Sequence, residues 1–122
     1  MYEVSIKESS KELTAKERIA LKDTSDAIKL DEATTENSLV IKPVAYAILN
    51  VVNDKADDPE YLQYVVIADD GTKYVTGSES FWNSFINIFE EMKDESEEWA
   101  IKVYRLDSKN YKGKQFISCS II

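Results

Sequence analysis

Residues 78–92 constrain the fold of this chain more than any other stretch. Stepping about 100° per residue places Phe81, Trp82, Phe85, Ile86, Ile88, Phe89 and Met92 within an arc of roughly 160°. Asn83, Ser84, Asn87, Glu90 and Glu91 fill the remainder, and Ser78 is well suited to cap the N-terminus. A helix with so broad an apolar face must bury it against a sheet or across the mouth of a barrel, so its four aromatics are expected to be core and not a ligand box.

Strand signals lie on both sides of this helix. Beyond it, Trp99, Ile101 and Val103 alternate with polar residues, as do Ile117, Cys119 and Ile121, which predicts two half-buried strands joined by a loop at residues 108–114. Before it, residues 44–53, 61–68 and 73–76 read as three strands. Asp70-Gly71 joins the second and third of these in a hairpin, because glycine accepts the positive φ of a tight turn.

The order from residue 44 is therefore strand, strand, strand, helix, strand, strand. That is the order of an oligonucleotide/oligosaccharide-binding (OB) barrel, so the chain is expected to be mainly β with one main helix, an α+β protein built on an OB-like five-stranded barrel over residues 44–122. Residues 1–43 read as an N-terminal extension packed on that barrel. Tyr2, Val4 and Ile6 mark a short strand there, and Thr14-Ala15-Lys16-Glu17 has the spacing of a capping box at the start of a short helix.

Charge separates the two ends of the sequence. Residues 1–98 hold ten basic and 22 acidic residues, a balance of −12, whereas residues 99–122 hold five basic residues against Asp107, a balance of +4. Three of those lysines surround Tyr111 in the 108–114 loop, and Lys102, Tyr104 and Arg105 stand on the strand leading into it. Cations that track phosphates, with aromatics on which bases stack, are the parts that single-stranded nucleic acid needs. In an OB barrel the loop between the last two strands flanks the ligand groove. The candidate nucleic-acid-binding residues are thus Lys102, Tyr104, Arg105, Lys109, Asn110, Tyr111, Lys112 and Lys114. Tyr46, Tyr64 and Tyr74 read as barrel wall more than as groove, and the first-to-second strand loop, residues 54–60, is acidic except for Lys55.

Composition excludes several chemistries. The chain has no histidine and one cysteine, Cys119, so Ser-His-Asp and Cys-His arrangements cannot be built, and no enzyme activity, metal or cofactor is expected. Gly71, Gly77 and Gly113 are isolated, and nothing reads as a phosphate-binding loop. No stretch has the roughly twenty apolar residues of a membrane span, and Met1-Tyr2-Glu3-Val4 lacks the start of a secretion signal, so no membrane contact and a cytoplasmic location are expected.

Three stretches carry a resemblance to a known family. Lys11-Glu12-Leu13-Thr14-Ala15-Lys16-Glu17-Arg18, Gly77-Ser78-Glu79-Ser80-Phe81-Trp82 and Ser108-Lys109-Asn110-Tyr111-Lys112-Gly113-Lys114-Gln115-Phe116 resemble small phage and prophage proteins of Gram-positive bacteria, some described as single-stranded DNA-binding proteins. The resemblance implies non-sequence-specific binding of single-stranded DNA in phage DNA replication or recombination, in the host cytoplasm and beside replication or recombination proteins. The competing expectation is an acidic, phage-encoded interaction or inhibitor protein, whose −12 surface imitates nucleic acid and binds a basic host protein.

Overall fold

The computed structural model describes residues 2–55, 59–107 and 113–122. The chain order is β1 (Tyr2–Ser9), α1 (Ala15–Lys22), β2 (Ile28–Lys29), α2 (Leu30–Ala33), β3 (Leu39–Ile41), β4 (Pro43–Asn53), β5 (Glu60–Ala68), β6 (Lys73–Thr76), α3 (Glu79–Met92), β7 (Ile101–Asp107) and β8 (Gln115–Ile121). The protein is mainly β with three helices, and its strands form two open sheets: a five-stranded sheet in the order β1-β4-β5-β6-β2 and a three-stranded sheet in the order β3-β7-β8.

A closed OB-like barrel is not what these strands make. The expected strand order is present, but the pairings are not those of a closed cylinder. β4 has β1 on one side and β5 on the other, and β7 lies between β3 and β8. The residues expected to form an extension thus supply both edge strands of the five-stranded sheet and one edge strand of the three-stranded sheet. Contacts gather the chain into two compact units, residues 1–29 with 44–77 and residues 30–43 with 78–122.

The first unit is built on the five-stranded sheet. Ala47, Leu49 and Val51 of β4, Val65 of β5 and Val75 of β6 form its core with Leu21 of α1, and Val4 and Ile6 of β1 pack against them. Tyr46, Tyr64 and Tyr74 are all buried, in line with their reading as wall and not groove. The Asp-Gly hairpin is formed as expected: β5 pairs antiparallel with β6, the Ala68 amide donates to the Thr72 carbonyl at 2.9 Å, and Gly71 has φ +87°. The edge strand β1 carries a register shift between Ile6 and Glu8. Such a bulge blunts an edge against stray pairing.

Short α1 is held at both ends. Thr14 Oγ1 accepts from the Glu17 amide at 3.2 Å, and the Thr14 amide donates to Glu17 Oε1 at 3.1 Å, which completes the capping box read in the sequence. The Thr14 amide and the neighbouring Lys11 ammonium both favour the Glu17 carboxylate, and together they hold it below its usual range. A carboxyl whose folded pKa is depressed stabilises the fold above its ordinary pKa and ceases to do so as pH falls through the lower folded value. Thr14→Ala should cost about 0.5–2 kcal/mol in chemical denaturation. In hydrogen exchange, α1 amides should lose protection on acidification, and Glu17→Gln should remove most of that pH dependence; a profile identical in Glu17→Gln would show that the box does not hold the helix.

At its other end α1 is tied down by Lys73 of β6, whose side chain is only 17% exposed. Lys73 Nζ donates to the Ala20 carbonyl at 2.8 Å and the Asp23 carbonyl at 2.7 Å, and it lies 3.3 Å from Asp26 Oδ1. The ammonium thereby adds a charged donor to the Ala20 carbonyl, which also accepts from the Asp23 amide at 3.3 Å, and meets the Asp23 carbonyl at the C-cap. Lys73→Met keeps the stem and removes the donors, so it should cost about 1.5–3 kcal/mol of stability. A loss under about 0.5 kcal/mol, the size of an ordinary surface change, would mean that water replaces the ammonium there.

The second unit is built on α3 and the three-stranded sheet. Ser78 caps α3, its hydroxyl accepting from the Phe81 amide at 3.2 Å. Phe81, Trp82, Phe85 and Phe89 are buried as the periodicity predicts, and β8 packs against the helix. The β7–β8 pairing runs from Ile101 opposite Ile121 to Asp107 opposite Gln115, and Ile101, Val103, Ile117 and Cys119 are buried. Trp99 precedes β7 and does not belong to it; its ring meets Phe89 edge-on at 6.0 Å.

Candidate nucleic-acid interface

Strand geometry sorts the residues of β7 into two sets. Side chains alternate between the faces of a sheet, and directly opposed residues of an antiparallel pair share a face. Lys102 lies opposite Ser120, Tyr104 opposite Ser118 and Leu106 opposite Phe116, while Val40 of β3 lies opposite Lys102. These seven residues therefore share one face. Val40 is 56% exposed, Leu106 42% and Phe116 38%, so these positions are open to solvent, whereas Ser118 is half-buried with its hydroxyl 3.2 Å from that of Ser84 on α3. Lys102 and Ser120 are exposed on it, and Tyr104 is half-buried.

Tyr104 is fixed on this face by its own hydroxyl. The hydroxyl lies 2.5 Å from Ser120 Oγ, although the residue directly opposite Tyr104 is Ser118. The side chain thus reaches two residues along β8, and Tyr104 stays half-buried. Phe116 occupies the other diagonal position from Tyr104, two residues from Ser118. Diagonal neighbours in such a ladder are about 7–8 Å apart, within reach of large side chains or of one ligand. Lys114 is exposed two residues before Phe116.

Arg105 departs from the sequence reading. Its position alternates with Lys102 and Tyr104, which puts it on the same side as the buried Ile101 and Val103. Its guanidinium donates to the Asp31 carbonyl of α2, and its Nε is buried without a hydrogen-bond partner. Arg105 is half-buried and acts as a tie from β7 to α2, not as a phosphate contact beside Lys102. Lys109, Asn110, Tyr111 and Lys112, the centre of the expected loop site, lie outside the described residues. Of the eight predicted site residues, the described structure brings Lys102 and Tyr104 onto one face, with Lys114 beyond the start of β8.

Sequence reasoning missed Phe116 and Leu106 as surface residues. Phe116 lies on the alternation opposite to Ile117, Cys119 and Ile121, so a signal for its outward position was present. An aromatic beside an apolar strand run reads as core by default.

Elsewhere the chemistry is quiet. Cys119 is buried, and burial pushes its thiol up to about 12, so it is not a thiolate nucleophile at neutral pH. Among the described residues no group of three or more acidic or cysteine side chains is placed to hold a metal ion. Among them, too, no helix is long and apolar enough to cross a membrane. No protein family, no curated protein and no solved structure matches the chain.

Proposed function

We propose that the outward face of the β3-β7-β8 sheet binds single-stranded nucleic acid without sequence preference, as a binding protein and not an enzyme. The observation that carries this reading is one solvent-facing sheet surface on which Tyr104 and Phe116 are accompanied by Lys102, with Lys114 beside it, in a chain whose other 98 residues balance at −12. Exposed aromatics offer flat faces to any base, and lysines beside them meet the phosphates, which gives affinity without sequence readout. An open sheet suffices for this, because stacking needs an exposed face and not a closed barrel. In this reading the described part of the site is Lys102, Tyr104, Phe116 and Lys114, and Arg105 takes no part in it. The resemblance of the three motifs supports, within this reading, a role in phage DNA replication or recombination.

The test is a titration of fluorescein-labelled oligo-dT at several salt concentrations. Binding should weaken linearly on a logarithmic salt scale, with a slope of about 0.7 for each phosphate neutralised. Absence of binding at low salt would overturn the proposal in favour of the acidic interaction protein.

A further inference from the structure

The C-terminal half of α3 forms a second surface with the opposite electrostatic character. Asn87, Ile88, Glu91 and Met92 line a groove of about 260 Å³ with Ile121 of β8. Ile88 and Met92 are half-buried, and Ile121 is 46% exposed. The groove therefore has an aliphatic floor with solvent access. Its rim is acidic. Glu90, Glu91, Asp94, Glu95, Glu97 and Glu98 fall within nine residues, and the one cation among them, Lys93, lies 2.8 Å from Glu90 Oε2. The Glu95 amide donates to the Met92 carbonyl at 3.0 Å, which keeps the acidic run at the end of the groove.

This placement costs stability. The C-terminus of a helix carries the negative end of its dipole, where carboxylates are unfavourable and cations favourable. Glu90 and Glu91 occupy the last turn of α3; the C-cap Lys93 pairs with Glu90, so the unfavourable placement falls on Glu91. A charge pattern that works against its own helix, beside apolar side chains left open to water, fits a surface made for a partner.

We infer that this groove docks a basic protein segment, in which one aliphatic or aromatic side chain seats on Ile88, Met92 and Ile121 while lysines or arginines on either side meet the acidic rim. The apolar lining selects the anchor, and the carboxylates steer the flanking cations and repel nucleic acid. This surface is separate from the sheet face bearing Tyr104 and Phe116, so the two readings can fail independently.

The probe is a short, labelled amphipathic peptide of leucine and lysine, titrated against the full chain at low salt. Two control peptides replace its leucines by serine or its lysines by glutamate. The parent peptide should bind and both controls should bind at least about tenfold more weakly, since each lacks one half of the recognition. Met92→Glu should weaken the parent peptide by about tenfold or more. Glu91→Lys with Glu95→Lys should weaken it similarly while leaving α3 at least as stable in denaturation, because the change relieves the dipole conflict. Oligo-dT affinity should change little in either variant. The inference is overturned if the parent peptide does not bind, or if the serine peptide binds equally well, which would mean an acidic run that attracts any cation. It is overturned as well if the chain self-associates through this surface, seen as a concentration-dependent mass that Met92→Glu abolishes, since the occupant is then a second copy.

Discussion

Replacing Phe85 by alanine is expected to remove about 3–5 kcal/mol of stability, the largest loss foreseen for any single side chain here. Phe85 is fully buried at the middle of the α3 apolar face. Its ring is stacked on Phe81 at 5.7 Å and meets Trp82 at 5.3 Å and Phe89 at 5.6 Å. Truncation removes the transfer energy of a phenyl ring and its aromatic contacts, and the three neighbouring rings are too large to collapse into the space without leaving their rotamers. The cost should show as a lower denaturant midpoint at nearly unchanged slope. Phe85→Leu, which refills much of the volume, should cost markedly less. A loss below about 1 kcal/mol for Phe85→Ala would mean that this face does not carry the core of its unit.

That prediction rests on the part of the fold most legible in the sequence. α3 spans four turns with a continuous apolar arc, so its period and its Ser78 cap are both local signals. The Asp70-Gly71 hairpin and the Thr14 capping box were legible for the same reason, since each is decided by residues within four positions of one another. Residues 23–42 were not. β2 has two residues and β3 has three, too few to show a period, and they are defined by distant partners: Ile28 by Tyr74 and Leu39 by Val103. The barrel expectation failed at the same level. Strand order is written in the sequence, but the edge of β4 could be taken by either an early or a late strand, and Val4 and Ile6 of β1 take it by packing on Leu49 and Val51.

The candidate site was legible in its chemistry and less so in its geometry. Lys102 and Tyr104, both expected on the strand leading into the loop, do share a face. The same two-residue period assigns Arg105 to the opposite face, but a long cation next to a basic loop reads first as part of that loop. Its real partner, the Asp31 carbonyl, lies 74 residues away and has no signature in the sequence. Phe116 is the reverse case, an aromatic not named among the site residues that the register puts on the same face as Tyr104.

The second large effect is expected on that face. If Tyr104 and Phe116 stack on bases, Tyr104→Ala and Phe116→Ala should each weaken oligo-dT binding by about 1–3 kcal/mol, roughly fivefold to more than a hundredfold, while the salt slope stays the same, because stacking releases no counterions. Tyr104→Phe separates the ring from its hydroxyl. It keeps the ring but loses the Ser120 contact that anchors its hydroxyl, so its effect should be smaller than that of alanine. Lys102 and Lys114 act through charge, and replacing both by glutamine should flatten the logarithmic salt slope by about 1.4 and weaken all sequences alike. Arg105→Gln provides the internal contrast. With its guanidinium on the Asp31 carbonyl, it should lower stability and leave the salt slope unchanged. All four side chains named for binding lie on exposed or half-buried positions, so their substitution should alter the denaturation midpoint little and the affinities can be compared directly. Should Arg105→Gln flatten the slope while Lys102 and Lys114 do not, the nucleic acid runs along the opposite side of β7, and the outward sheet face is not the site.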